Sequence, residues 1–414
     1  GDNTSRYETI IKSGTLDVKR KFTPRNIEIE TDGTLITNPN TVIGEITRDY
    51  YTNEITVNVA VNIVNKGTLK NIGKGAIITG NYTAKYGSVT EAEIGSKLIV
   101  KGTIKIDGRE RNQTLGSTVK LLSNGYVTAT PTTSAVIEAE KGIEGQFAKV
   151  ETDGLINGKV ENKGNSIEAT ISRKNVEDYV KVAIKKGYTE LGISDHAPMP
   201  EYYENNRMKE EDFDGYLKEI EEAQEKYGDK IKIYKSLEIE YFPEFLEKYD
   251  KYRKKLDYLV LGLHAFRKPG DNTNYNAWKI KTGEDVLDYA KYMAEAIESG
   301  KFDYIAHPDL YVINYRNWDE SCEKAAHIIS EAAEKMDVPL EVNANGIRKS
   351  FERHPDWDRY MYPYKEFWEI VKQYNVRTII GSDAHDFNRM EDREMEIARE
   401  FAREIGLNVI ESIF

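Results

Sequence analysis

The hydrophobic pattern of this 414-residue chain changes abruptly near residue 175, and this change constrains the fold more than any other feature. Before residue 175, apolar and polar residues alternate. After it, short apolar runs are separated by longer helical patterns, and all six histidines and all four tryptophans lie there. A chain of this length exceeds what one hydrophobic core normally organises. We therefore expect two domains, residues 1–174 and residues 175–414.

The first part is rich in Thr, Asn, Gly, Val and Ile, and its apolar residues fall on every second position. Between residues 54 and 64, the odd-numbered residues from Ile55 to Ile63 are apolar, whereas Thr56, Asn58 and Asn62 are polar. Such alternation, with Gly and Asn turns between the runs, is typical of half-buried strands in antiparallel sheets. Roughly ten such segments predict an antiparallel β-sandwich or jelly roll for residues 1–174.

The second part consists of repeated strand–helix patterns. Asn175 is placed to cap a helix that begins at Val176 and ends near Gly187. Strands are predicted at Leu191–Ser194, Ile231–Lys235, Tyr258–Leu263, Tyr304–Ala306, Leu340–Val342 and Arg377–Ile380. Units of roughly 30–40 residues predict a parallel sheet, either open or closed into a barrel, with functional residues at the carboxyl ends of the strands.

Histidines and carboxylates follow most of these predicted strands. They are His196, Glu238, Glu240, His264, His307, Asp383 and His385. A single histidine at a strand end is more often structural than a ligand, but a parallel barrel brings its strand ends to one pocket. Mixed imidazole and carboxylate ligation suits Zn²⁺, Mn²⁺ or Fe²⁺, ions that polarise a phosphoryl oxygen and acidify bound water. The pattern therefore predicts a divalent transition-metal site suited to phosphate-ester hydrolysis.

Five motifs in this part resemble, in their order, those of the polymerase-and-histidinol-phosphatase (PHP) family, and within it the histidinol-phosphatases. They are Ile-Ser-Asp-His-Ala-Pro, Leu-Glu-Ile-Glu-Tyr-Phe-Pro, Leu-Gly-Leu-His, Ala-His-Pro-Asp-Leu and Gly-Ser-Asp-Ala-His. The resemblance covers residues 175–414 and implies a distorted (βα)7 barrel that binds up to three metal ions and hydrolyses phosphomonoesters.

The resemblance also implies roles for individual residues. Glu238 would bridge two metal ions, His264 and His307 would complete one of these sites, and Asp383 would belong to the other. His196 and His385 would serve a third ion. The candidate catalytic residues are Asp383, Arg348 and Glu240; Arg348 lies in a segment that resembles one near the substrate in the family, and Arg207 and Arg267 are further candidates for binding phosphate.

The chain departs from the family at its first motif. The family opens with a strand that ends in His-x-His, but no His-x-His occurs in this sequence and no histidine precedes His196. Where that strand is expected, residues 166–172 alternate as a continuation of the β part. We therefore expect a barrel without its usual first strand and fewer than three metal ions, so that an active enzyme and a catalytically dead barrel are both open.

The net charge of −12 disfavours a nucleic acid as the main partner, and the apolar runs are too short for a membrane span. Three N-glycosylation sequons, at Asn3, Asn81 and Asn112, are compatible with secretion. Separately, the chain resembles secreted fibre subunits of the camelysin/TasA type and archaeal cannula subunits in the motifs Ser13-Gly-Thr-Leu-Asp-Val, Asn65-Lys-Gly-Thr-Leu-Lys-Asn and Asn162-Lys-Gly-Asn-Ser-Ile-Glu-Ala-Thr-Ile. That likeness implies an extracellular jelly roll that polymerises when its N-terminal segment, Gly1 to about Ile11, adds a strand to a neighbouring copy. The alternatives are a carbohydrate-binding or spacer domain, or a cytoplasmic phosphomonoesterase with an accessory β domain.

Overall fold

The computed structural model describes residues 3–4, 7–49, 52, 54–108, 116–154, 156–199, 207–315, 317–353 and 358–414. The chain forms two compact units, Gly1–Lys174 and Asn175–Phe414, and each is described here by itself. None of the helices in these residues is both long and apolar enough to cross a membrane.

The N-terminal unit consists of β-strands. They are β1 Asn3–Thr4, β2 Thr9–Val18, β3 Lys21–Thr23, β4 Asn26–Thr37, β5 Val42–Ile43, β6 Glu45–Arg48, β7 Ile55–Val59, β8 Asn62–Asn65, β9 Thr68–Asn71, β10 Ala76–Ile78, β11 Tyr82–Ala84, β12 Val89–Glu93, β13 Leu98–Val100, β14 Ile104–Ile106, β15 Thr118–Leu122, β16 Thr132–Ala139, β17 Ile143–Gly145, β18 Lys149–Thr152, β19 Ile156–Asn162 and β20 Ser166–Arg173.

The chain winds in successive turns, and most strands pair in parallel with the equivalent strand of the next turn. The unit is therefore a stack of such turns, here called coils. One sheet has the order β3-β5-β10-β13-β16, and the other contains the order β4-β8-β11-β14-β17. Equivalent positions of successive coils stack into buried ladders, of which one is formed by Ile27, Ile63, Tyr82, Ile104 and Ile143. Each coil thus buries its apolar residues against those of its neighbours, as in solenoid proteins.

The predicted antiparallel sandwich or jelly roll is wrong, because the pairing within both large sheets is mainly parallel. The antiparallel pairs are the hairpin β6–β7 and the pairs β16–β20 and β19–β20. Alternation of apolar and polar residues reports that one face of a strand is buried, but it does not report the direction of the neighbouring strand. A coil that faces a core on one side and solvent on the other produces the same pattern as a sandwich strand.

The N-terminal strand pairs within its own chain. Thr9–Ile11 lie opposite Ile27–Ile29 of β4, in parallel register. This segment contains the end of the proposed donor segment, whereas residues 1–2 and 5–6 of that segment lie outside the described residues. In this structure β2 therefore completes the first coil of its own unit.

The C-terminal unit alternates strands and helices. Its strands are β21 Glu190–His196, β22 Lys232–Ile239, β23 Val260–Leu261, β24 Ala265–Phe266, β25 Tyr275–Asn276, β26 Tyr304–Ile305, β27 Leu340–Asn343, β28 Arg377–Gly381 and β29 Asn408–Val409. Its helices are α1 Val176–Lys185, α2 Phe213–Tyr227, α3 Leu246–Arg253, α4 Gly283–Glu298, α5 Glu320–Met336, α6 Ala344–Arg353, α7 Lys365–Val371 and α8 Arg393–Ile405, with 3₁₀ turns at Glu210–Asp212, Pro243–Phe245, Ala277–Lys279, Leu310–Val312 and Phe387–Arg389.

Seven of these strands form one parallel sheet in the order β21-β22-β23-β26-β27-β28-β29. The predicted parallel α/β architecture is therefore confirmed. Within the described parts of the chain, β21 and β29 are the two edges and do not pair with each other, so the sheet is an open half-barrel rather than a closed barrel. The strand that ends in His196 is the first one of the sheet, with no earlier strand beside it in these residues.

The start of α1 agrees with the sequence pattern. Asn175 caps α1 as predicted, since its side chain accepts a hydrogen bond from the Asp178 backbone N–H at 2.9 Å. The central strands are fully enclosed: Leu237, Ile239, Leu261 and Val342 have almost no exposed surface. The carboxyl ends of these parallel strands lie along one edge of the sheet, and this carboxyl edge carries the candidate site.

Candidate metal centre

Three side chains from three neighbouring strand ends meet at one point. Glu238 lies near the end of β22, His264 follows β23 and His307 follows β26. The Glu238 Oε1 atom is 3.6 Å from His264 Nε2 and 3.5 Å from His307 Nε2. One ligand atom from each residue lies within 4.8 Å of the other two. Parallel strand order thus joins residues that are 26 and 43 positions apart in sequence.

The backbone makes room for this cluster at Gly262. A Cβ atom at that position would lie 2.0 Å from Glu238 Oε1. Any side chain larger than hydrogen would therefore displace the carboxylate. The glycine of the Leu-Gly-Leu-His motif is required by the close approach of the backbone to Glu238.

Glu240 holds His264 in place through hydrogen bonds to its ring and backbone. Its Oε1 accepts hydrogen bonds from His264 Nδ1 at 2.8 Å and from Arg207 Nη2 at 2.5 Å. Its Oε2 accepts the backbone N–H groups of His264 and Ala265 at 2.9 and 3.1 Å. A carboxylate bonded to one imidazole nitrogen orients the ring and leaves the other nitrogen for a metal ion.

This arrangement favours a positioning role for Glu240 over the predicted catalytic role, which stays a prediction. The side chain is fully buried and both of its oxygens are occupied by hydrogen-bond donors. It is therefore placed to position His264 and not to contact a substrate. The sequence did not reveal this, because Arg207 comes from a segment 33 residues earlier.

Burial and neighbouring charges shift the pKa values of the clustered side chains. Burial raises the pKa of Glu238, but the facing histidines outweigh this effect and hold the carboxyl group well below its usual range. Burial lowers the pKa of His307, whereas its interaction with Glu238 raises it to about 9. For His196 burial dominates and lowers the pKa. The cluster therefore contains an ionised carboxylate that attracts positive charge in a water-poor environment.

Several buried polar atoms of the cluster have no hydrogen-bond partner among the described residues. They are Glu238 Oε1, His196 Nδ1 and His307 Nδ1. The 3.5–3.6 Å separations around Glu238 Oε1 are long for hydrogen bonds, but two ligands that bind one ion at about 2.0–2.2 Å lie at similar separations. Unsatisfied buried donors and acceptors are costly. The residues present therefore fit a divalent transition-metal ion.

His196 and His385 lie at the open side of the cluster. His196 Nδ1 is 4.0 Å from Glu238 Oε1, and its ring centroid is 5.6 Å from that of His264 and 6.5 Å from that of His385. His385 is 47% exposed, and its Nδ1 is 3.3 Å from Asp383 Oδ1. The structure thus brings His196 next to the Glu238 cluster and His385 next to Asp383.

Asp383 is held by two asparagine side chains that sequence analysis did not single out. Asp383 Oδ2 accepts hydrogen bonds from Asn343 Nδ2 at 3.2 Å and Asn345 Nδ2 at 3.0 Å. Asp383 and His307 have positive φ angles of 45° and 34°, a conformation that non-glycine residues adopt mainly where the surroundings enforce it. The strand Leu340–Val342 was predicted, and Asn343 directly follows it, so the position of the amide at a strand end was a usable signal.

Glu341 is a second residue that sequence analysis missed. It lies on β27, is 4% exposed and accepts the His307 backbone N–H at 3.2 Å. Burial, followed by the nearby Asp383, raises the pKa of Glu341 to about 7. Because Glu341 lies between Leu340 and Val342, inside the predicted strand and not at its end, strand-end position alone did not indicate its proximity to the site.

The structure does not place Arg348 as a free phosphate ligand. Its side chain is 3% exposed and donates to Asp392 Oδ2 at 2.6 Å, Asp392 Oδ1 at 2.9 Å, Ser382 O at 2.5 Å and Arg389 O at 2.7 Å. These partners occupy its guanidinium, so the geometry disfavours the predicted substrate role of Arg348, which stays a prediction. The other two candidates are also ion-paired: Arg207 with Glu240, and Arg267 with Glu244.

Replacing Arg348 by methionine should lower stability and leave substrate affinity unchanged. Removal of one partner from a largely buried ion pair costs about 3 kcal/mol of unfolding free energy. The matched control Arg377→Met removes an arginine that is 35% exposed from its pair with Asp337 and should cost under about 1 kcal/mol. Urea unfolding and steady-state kinetics measure both quantities. A rise in KM of tenfold or more at unchanged stability would return Arg348 to the substrate site.

Comparison with known proteins identifies relatives of the C-terminal part. The sequence model of the PHP domain matches residues 169–345. A probable histidinol-phosphatase from Deinococcus radiodurans is 26% identical over 242 residues, which cover 55% of this chain and 86% of that protein. The histidinol-phosphatase of Bacillus subtilis is 22% identical over 245 residues, which cover 52% of this chain and 88% of that protein.

A solved structure is also similar. It is the histidinol phosphate phosphatase of Lactococcus lactis in complex with zinc, L-histidinol and phosphate. The likeness has a TM-score of 0.45 and 17% sequence identity, and it covers 57% of this chain and 89% of that one.

Proposed function

The C-terminal part of this chain contains a histidinol-phosphatase-like PHP domain, and we propose that it hydrolyses phosphomonoesters with a bound divalent metal ion. The resemblance to the PHP family is confirmed over residues 169–345. The relatives are named for histidinol phosphate, and a small phosphate ester of this kind is the substrate class that we propose here.

The observation that carries the proposal is the convergence of Glu238, His264 and His307 at one point. Three protein ligands leave further coordination positions for water and substrate, which is the arrangement of catalytic rather than structural metal sites. Glu240 supplies the orienting hydrogen bond that such histidines normally have. Together these features favour an active site over a vestigial one.

The residues of the chain would act in distinct ways. Glu238, His264 and His307 would hold the ion, and Glu240 would fix the ring of His264. When bound, such an ion polarises a phosphoryl oxygen and acidifies water, which makes hydrolysis near neutral pH possible. Asp383 is held by Asn343 and Asn345. Its Oδ1 atom would orient the attacking water or accept a proton from it.

We propose fewer than three ions, because the ligands of the cluster are unevenly distributed. Glu238, His264 and His307 suffice for one ion, with His196 nearby as a further ligand. A second ion between Glu238 and Asp383 would lack the two histidines of the missing His-x-His motif. Asp383 Oδ2 is moreover shared by two amide donors. One well-held ion and a weaker second one are the expected occupancy.

Metal content and hydrolysis can be measured on the same preparation. We expect at least one Zn²⁺, Mn²⁺ or Fe²⁺ per chain by elemental mass spectrometry after incubation with the metal, and hydrolysis of p-nitrophenyl phosphate and histidinol phosphate. Chelation should abolish the activity and added metal should restore it, because the ion supplies several kcal/mol of transition-state stabilisation. The diester bis(p-nitrophenyl) phosphate serves as the substrate control. Metal content near zero together with no monoester hydrolysis would overturn the proposal.

For residues 1–174 we propose the role of an accessory β unit. A stack of parallel coils supports an accessory β unit attached to a phosphomonoesterase better than a jelly roll that donates a strand. Secretion, self-assembly into an extracellular filament and a catalytically dead barrel stay predictions from the sequence. A nucleic acid is not proposed as a partner, given the net charge of −12.

A further inference from the structure

We propose that Lys349, and not the neighbouring Arg348, binds the phosphoryl group of the substrate. This inference rests on the proposed phosphomonoesterase function and names the cation that the function needs. Lys349 lies on α6, which begins directly after β27 at the carboxyl edge of the sheet. Its side chain was not singled out by sequence analysis, which selected the arginine beside it.

A tyrosine connects Lys349 to the metal cluster. Lys349 Nζ donates to Tyr362 Oη at 3.1 Å, and the Tyr362 ring centroid lies 5.8 Å from that of His307. Tyr362 is 1% exposed and contacts both residues. The ammonium group is therefore about one tyrosine side chain away from a proposed metal ligand. A phosphate ester held at the metal would lie within reach of this flexible side chain.

Two aromatic rings hold the lysine in this position. Lys349 Nζ is 5.1 Å from the centroid of the Trp278 ring and 5.8 Å from that of Tyr362. A cation within about 6 Å of an aromatic ring is attracted to its face. The helix itself is packed directly on Tyr362, because a Cβ atom at Gly346 would lie 2.2 Å from the tyrosine ring. The lysine is thus placed by packing, with its methylene groups beside apolar rings.

The charge of Lys349 acts on the site. Lys349 lies close enough to Asp383 for the two charges to attract each other. Glu238, Glu341 and Asp383 make the site rich in carboxyl groups, which would repel a phosphate dianion. A lysine ammonium beside them offsets that repulsion and can donate to a phosphate oxygen as well as to Tyr362 Oη. Arg348, in contrast, faces Asp392 and the backbone oxygens of Ser382 and Arg389.

The test compares Lys349→Met, Lys349→Arg and wild-type protein, all loaded with Mn²⁺. Methionine keeps an unbranched apolar side chain over the rings and removes the charge. The readouts are KM and kcat for p-nitrophenyl phosphate, the dissociation constant of inorganic phosphate by calorimetry, and metal content. Loss of a hydrogen bond between charged groups should weaken phosphate binding and raise KM about ten- to hundredfold in Lys349→Met. Metal content should not change, and Lys349→Arg should recover part of the phosphate affinity.

The control is Lys324→Ala on α5, an exposed lysine paired with Glu320 one helical turn away, which should bind phosphate like the wild type. Equal phosphate affinity in Lys349→Met and wild type would overturn the proposal, as would a loss of metal that accounts for the whole effect. Phosphate binding is measured independently of turnover. Lysine-dependent binding by a protein without hydrolytic activity would therefore support the role of Lys349 while the proposed function fails.

Discussion

Glu238→Gln is expected to abolish metal binding and to lower the rate of phosphomonoester hydrolysis at least about a thousandfold, since loss of the ion removes several kcal/mol of transition-state stabilisation. Glu238 Oε1 lies next to both His264 Nε2 and His307 Nε2, so it is the central atom of the proposed ligand set. The amide of glutamine is neutral and a weaker ligand for a divalent ion. Elemental mass spectrometry and hydrolysis of p-nitrophenyl phosphate measure the two effects.

Chelator-treated wild-type protein is the matched control for this variant. Both proteins should be inactive and folded, as judged by circular dichroism, but only the wild type should recover activity when Mn²⁺ or Zn²⁺ is added. A variant that binds metal normally and hydrolyses at more than a tenth of the wild-type rate would contradict the proposed metal centre, because no other carboxylate of the described cluster faces both histidines.

Glu240→Gln is expected to lower metal affinity about ten- to hundredfold and to destabilise the fold by about 3–5 kcal/mol. The Glu240 carboxylate accepts from Arg207, from the His264 ring and from two backbone N–H groups. Whichever way the glutamine amide turns, its NH₂ group faces another donor. Arg207, whose side chain is 4% exposed, also loses its counter-charge. Metal titration and urea unfolding in the presence of chelator separate the two effects.

Glu244→Gln is the control, because Glu244 also pairs with an arginine, Arg267, but is 45% exposed. Solvent-exposed pairs contribute about 0–1 kcal/mol, and Glu244 makes no described bond to a metal-ligand ring. We expect near-normal metal affinity and stability for this variant. If Glu240→Gln behaved like Glu244→Gln in both assays, the positioning role of Glu240 would be refuted.

The contrast between Glu238 and Glu240 shows how far strand-end patterns lead. Both glutamates follow one apolar strand two positions apart, and the pattern assigned both to the site. The partners that distinguish them are His264 and His307 for one, and Arg207 with two backbone amides for the other. These partners come from segments up to 69 residues away. Roles that depend on such contacts cannot be read from local sequence.

Arg348 and Lys349, on one helix, also differ in contacts that local sequence does not reveal. They are adjacent in sequence, and the guanidinium was the stronger candidate for phosphate on chemical grounds. The direction of each side chain is set by helix position: Arg348 reaches Asp392, whereas Lys349 reaches Tyr362 and Trp278. A residue type indicates a possible chemistry, and packing decides whether its functional atoms face the site.

What the sequence by itself determined is the local and periodic part of this protein. The boundary near residue 175, the parallel α/β character of the C-terminal part, the cap at Asn175 and the gathering of His264, His307 and Glu238 follow from periodicity and from the geometry of parallel strands. The tertiary structure alone decided the parallel coils of residues 1–174, the open sheet edge at β21, the hydrogen bonds of Glu240 to Arg207 and His264, and the burial of Arg348. The physical reason is that alternation and residue type report which face is buried and which chemistry is available, whereas pairing direction and ion-pair choice depend on segments that meet only in the folded chain.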